Sequence, residues 1–140
     1  MMTTVMMDTH VTPRVDVFLA AHPYASEFVV DEAALRADGA SVAAFKAYLD
    51  DKLLHEGVDR LEEAGRLFYG VKTSVAQEAA ESLGFASHDL EHQPWFNRYF
   101  SRAVAYEPHY APQDVLRSLE EWDSRGWSRI HEPDDFHPKR

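Results

Sequence analysis

The alternation of apolar and polar residues reads mostly at helical spacing. In "SVAAFKAYLDDKLLHEG", Val42, Phe45, Leu49 and Leu53 fall at i, i+3, i+7 and i+11 and form one apolar stripe. Ser41 is placed as an N-cap, and Gly57 suits the left-handed exit of a helix end. "DEAALRADG" predicts a short helix closed by Gly39. "VDRLEEAGRLFYG" repeats the theme with Val58, Leu61, Ala64 and Phe68, acids early and Arg66 late, as a helix dipole favours. "TSVAQEAAESLG" opens with Ser74 and Gln77 as a capping box and has Gly84 as its closing residue. "PWFNRYFSRAVAY" starts with Pro94 and is apolar over much of a helical circumference, which predicts a central helix. "APQDVLRSLEEWDSRGW" predicts a last helix burying Val115, Leu116, Leu119 and Trp122 and ending at Gly126.

The N-terminal third is less regular. "RVDVFLAAH" fits a strand or one or two helical turns. "HPYASEFVV" carries the β-prone Phe28, Val29 and Val30 and suggests a small extended segment packed against the helices. These elements predict an all-α protein: one compact domain of five or six helices over residues 14–130. A loose arm (1–13) precedes it and a mobile polar tail (131–140) follows it.

Composition narrows the function. At 140 residues and 45% hydrophobic, the chain has the length and content of one folded domain. It has no cysteine, which excludes disulfides, thiolate metal sites and cysteine nucleophiles. The formal net charge is −10, and acids outnumber bases over residues 31–83. Such a surface repels phosphate and anionic lipid and favours either simple solubility or a partner with a basic face. No apolar run reaches membrane-spanning length, and "MMTTVMMDTH" has no signal-peptide pattern, so no membrane association and a cytoplasmic location are expected.

The stretch "SHDLEHQPWF" holds the densest candidate chemistry. His88, Glu91 and His92 match an H-x-x-E-H arrangement, in which imidazoles four apart on a helix share a metal beside a general base. Over these five residues the chain resembles the inverted zinc peptidases, which implies a small metal-dependent enzyme as one alternative. That reading needs a third protein ligand, for which His109, Glu81 and Glu107 are candidates. Pro94 disfavours a helix continuing past His92. The expectation is therefore a polar connection capped by Ser87, with no metal and no cofactor. There is no Glu-x-x-His for a di-iron bundle, no GxSxG or SxxK, and no phosphate-binding glycine loop.

"AQEAAESLGFASHDLEHQPW" also resembles a helix-turn-helix. Ala80 and Gly84 stand four apart, Ala79, Leu83, Phe85 and Leu90 supply internal packing, and Ser87 caps the second helix. "WFNRYFSR" resembles the end of an AraC-type DNA-binding domain. The resemblance implies a DNA-binding regulator built on a corner at residues 76–95. Its second helix would present His88, Asp89, Glu91 and His92, with no Arg or Lys until Arg98, which argues against direct nucleic-acid binding. Trp95, Phe96, Tyr99, Phe100 and Tyr106 are expected in the core.

These residues together predict an acidic, non-enzymatic protein-binding regulator, inhibitor or accessory subunit. Imitation of nucleic-acid charge is one way such a protein works. The partner is expected to be another protein with a basic face, with a homo-oligomer also open. Asp50, Asp51, Glu62 and Glu63 are the candidate binding patch.

Overall fold

The computed structural model describes residues 13–72, 77–125 and 136. Its elements are α1 (Pro13–Ala21), β1 (Tyr24–Val30), α2 (Glu32–Ala37), α3 (Val42–Leu53), β2 (Val58–Glu63), β3 (Arg66–Val71), α4 (Gln77–Glu91), α5 (Phe96–Tyr99), β4 (Phe100–Tyr106), β5 (Gln113–Asp114) and α6 (Val115–Ser124). Three helices start by one local device. The side chains of Asp31, Ser41 and Asp114 accept the backbone N–H three residues on, at 3.0, 3.1 and 3.1 Å. Each satisfies a donor that the first turn leaves unpaired.

The all-α expectation is overturned. The strands form a five-stranded sheet in the order β2-β3-β1-β4-β5, with every neighbouring pair antiparallel. "HPYASEFVV", expected at most as a small extended segment, supplies the central strand. "VDRLEEAGRLFYG" is the β2–β3 hairpin and not a helix. Glu63 pairs with Arg66 across the two-residue loop Ala64–Gly65, whose residues both have positive φ (52° and 78°). That is the loop whose twist matches paired strands. "PWFNRYFSRAVAY" makes one helical turn, α5, and then turns extended at Phe100 as β4. A segment apolar all round fits a strand buried on both faces as well as a central helix. Pairing with β1 decides between them.

α4 corrects a third expectation. It runs through Gly84 without a break, so the glycine ends nothing and the corner at 76–95 does not form. A Cβ on Gly84 would meet nothing within 4 Å, so this position lies on the open side of the helix. "RVDVFLAAH" resolves as helix α1, opened by Pro13. On α6 only Val115 is buried; Leu116 and Leu119 are partly covered and Trp122 is exposed over less than half of its surface. The Ser74 capping box, Gly126, residues 1–12 of the arm and most of the tail lie outside the described residues.

Strand alternation separates two faces. Phe28, Leu67, Tyr69 and Ala103 point to the main core, where they meet Leu35, Phe45, Leu49, Leu53, Leu83, Leu90, Phe96 and Phe100. The opposite face carries Phe68, Leu61 and Tyr106 beneath Val15 and Phe18 of α1. Phe136, in the segment expected to be a mobile tail, packs against Phe45 with ring centroids 4.9 Å apart. Among the described residues no helix is long and apolar enough to cross a membrane.

Candidate functional site

The H-x-x-E-H residues sit at the C-terminal end of α4. His92 Nδ1 lies 2.8 Å from the His88 carbonyl oxygen, which can only accept, so this nitrogen donates and is committed to the backbone. The two rings are 4.2 Å apart. Burial pushes the Glu91 carboxyl up, and His92 opposes that shift. Among the described residues no group of three or more His, Asp or Glu is arranged to hold a metal, so none of His109, Glu81 or Glu107 completes the set. Ser87 is no cap: it lies inside α4, with its hydroxyl 3.1 Å from that of Ser26 on β1. Pro94 stands ahead of α5 in a turn, and Trp95 holds the N-cap position without a side-chain capping bond.

The four acids of the predicted patch do not share one face. Asp50 Oδ1 accepts from the Tyr69 hydroxyl at 2.7 Å and from Arg60 Nε at 2.6 Å. Burial, reinforced by Asp50, pushes the Tyr69 hydroxyl up. Glu62 accepts from Lys46 at 2.7 Å and Arg60 at 3.0 Å, which hold its carboxyl below the usual range despite partial burial. Its neighbour Glu63 points to the other side of the strand and pairs with Arg14 at 3.0 Å. Of the four, Asp51 lies at the mouth of a cleft.

That cleft, of about 1010 Å³, runs between α3 and α4. The α3 stripe Phe45, Leu49, Leu53 faces the core, which leaves Tyr48, Asp51 and Lys52 on the shoulder toward α4. α4 buries Ala79, Leu83, Ala86 and Leu90, at i, i+4, i+7 and i+11, and turns Glu78, Phe85 and Asp89 into the opening. The rim carries the carboxylates of Asp51, Glu56, Glu78 and Asp89 against the ammonium of Lys52, which is 3.6 Å from Asp89. Phe85 is 73% exposed. A helix end at Gly84 would put it in internal packing. On a continuous helix Phe85 falls off the apolar stripe, and that is the signal that marks it.

A second polar cluster, not anticipated from the sequence, lies on the sheet face shared with α1. Glu27 stands directly opposite Phe68 on β3 and Val104 on β4. This register places Arg66, Arg102 and Tyr106 on its diagonals, all on one face. Glu27 is fully buried and its carboxylate accepts four hydrogen bonds. Oε2 takes Arg66 Nε at 2.6 Å and Arg102 Nε at 2.9 Å, and Oε1 takes Arg66 Nη2 at 3.1 Å and the Tyr106 hydroxyl at 2.6 Å. Burial alone would raise this carboxyl, but the bonds from Arg66, Tyr106 and Arg102 outweigh it and hold it low. Burial and Glu27 push the Tyr106 hydroxyl up to about 12, so it stays a donor. The signal in the sequence was a lone acid inside an apolar strand run.

No protein-family model matches this chain, and no curated protein or solved structure was found to be similar to it.

Proposed function

We propose that this chain acts by binding another protein, as a regulator, inhibitor or accessory subunit, and that the α3–α4 cleft receives a basic, partly apolar segment of that partner. The observation that carries this reading is the rim: four carboxylates against one lysine around the exposed Phe85 ring. Carboxylates steer a cationic segment into register, and the exposed aromatic ring offers an apolar contact that a bound segment would desolvate. The overall charge of −10 adds long-range attraction for such a segment and repels nucleic acid. The cleft volume suits a few side chains. Among the earlier candidates Asp51 belongs to this surface; Asp50, Glu62 and Glu63 have intramolecular partners. The continuous α4 removes the corner on which the DNA-binding alternative stood.

The test uses a short Lys/Arg-rich peptide with Leu and Phe at helical spacing, followed by calorimetry at several salt concentrations. Saturable binding is expected to weaken with salt, to fall about tenfold on Asp51→Lys or Glu78→Lys, and to fall on Phe85→Ala. Glu120→Lys on the exposed side of α6 is expected to leave it unchanged. Equal losses from all charge reversals would reduce the effect to net charge and overturn the cleft. So would a self-associated protein whose Phe85→Asp variant becomes monomeric, because a second copy would then cover this face.

A further inference from the structure

We infer that Arg66 and Arg102, converging over Glu27 on the α1 face of the sheet, form a binding site for an oxyanion, a carboxylate or phosphate group carried by a ligand. The site is separate from the cleft and does not depend on it. Three observations carry the inference.

The first is an inventory of donors and acceptors. A carboxylate has about four lone-pair positions, and Glu27 fills them with the four bonds described above. A guanidinium has five N–H donors. Arg102 gives Glu27 only its Nε–H, and Arg66 gives its Nε–H and one Nη2–H. Of the remaining N–H groups, those of Arg102 also meet the Tyr106 side chain, and among the described residues no carboxylate other than Glu27 pairs with either arginine. Glu27 is thus saturated while the arginines above it are not.

The second is charge. One carboxylate lies under two guanidiniums, which leaves a surplus positive charge in a chain whose net charge is −10. The guanidiniums also repel each other, and both bond to the one Glu27 carboxylate. The acid nearest along the sheet, Glu63, is engaged by Arg14. A third negative group is what this arrangement lacks.

The third is access and rigidity. The Arg66 and Arg102 side chains are 18% and 42% exposed. On β4, β5 pairs only with Val104 and Ala105, so the flank beside Arg102 is not covered by a described strand. Arg66 lies over the Phe68 ring with its central carbon 5.1 Å from the centroid, a contact that adds to its two bonds to Glu27. Two planar forks oriented beforehand by a buried carboxylate match the bidentate geometry of carboxylate and phosphate. For stability alone an apolar pair would serve as well, since burying a carboxylate under guanidiniums adds little net stability.

The test is NMR of the arginine Nε–H signals of the intact chain in low-salt buffer, titrated with inorganic phosphate, with acetate, and with chloride as the control. Saturable shifts are expected at Arg66 and Arg102, with a dissociation constant of about 1–10 mM for so small a probe. Arg98, which is exposed and bidentate on Asp38, is expected not to respond. Saturation by phosphate alone or by acetate alone assigns the ligand class, and either result supports the site. Arg102→Lys keeps the charge but loses the fork, and is expected to weaken binding at least about tenfold with the melting temperature retained. Shifts that do not saturate by about 50 mM, equal shifts with chloride or at Arg98, or full affinity in Arg102→Lys would overturn the inference.

Discussion

A methyl group on Gly70 would lie 2.7 Å from the Cβ of His22 and 3.0 Å from the Phe18 ring. The end of α1 therefore rests on the bare backbone of β3. His22 is held there from both sides of its ring, with Nδ1 donating to the Phe18 carbonyl at 2.7 Å and Nε2 at 2.8 Å from Asp59 Oδ2. The ring also stacks on Phe18 at 3.9 Å. A Cβ cannot swing away as the tip of a long side chain can. Gly70→Ala is expected to cost about 1–3 kcal/mol, as overpacking does, and to loosen α1. Urea denaturation measures the cost; unchanged stability would mean that α1 slides without penalty.

Gly84→Ala tests the continuity of α4. Gly84 lies inside the helix with open space around its missing side chain. Alanine there is expected to stabilise the protein by about 1 kcal/mol. A helix that ended at Gly84 in a left-handed turn would instead lose stability. The sign of the change in melting temperature separates the two cases.

Phe45 is fully buried and touches Tyr48, Trp95, Tyr99, Phe100 and Phe136. Phe45→Ala is expected to cost about 3–5 kcal/mol. Phe136→Ala removes a ring that is only partly covered and is expected to cost less. It should still change the emission of Trp95, whose ring lies 6.2 Å from it. Unchanged emission would mean that Phe136 does not dwell on this cluster in solution.

Glu27 sets an acid sensitivity. Its folded-state pKa is depressed, because the bonds from Arg66, Tyr106 and Arg102 outweigh the opposing effect of burial. A depressed carboxyl contributes stability above its unfolded pKa of about 4.3 and loses that contribution as pH falls through the folded value. Wild-type stability is therefore expected to fall more steeply than that of Glu27→Gln as pH drops below about 4. At neutral pH, Glu27→Gln is expected to be the less stable protein. Because Arg102 is well exposed, its loss should stay below the roughly 3–5 kcal/mol of a fully buried pair. Denaturation curves at a series of pH values check both statements; parallel curves would show that Glu27 contributes no such linkage.

What could be read from the chain alone was what depends on near neighbours. The caps at Asp31 and Ser41 bond to N–H groups three residues away, so the starts of α2 and α3 are written locally. The stripe of Phe45, Leu49 and Leu53 likewise named one buried face of α3. That residues 58–71 form a hairpin is set by long-range pairing, because Val58, Leu61 and Phe68 satisfy a helical period while the strand ladder is completed by β1, far away in sequence. Phe100–Tyr106 became a strand for the same reason: its hydrogen-bond partners lie on Tyr24–Val30. The Glu27 cluster depends on these distant pairings. Glu27 meets Arg66 across 39 residues and Arg102 across 75, and no local spacing records a contact that exists only once β1 lies between β3 and β4.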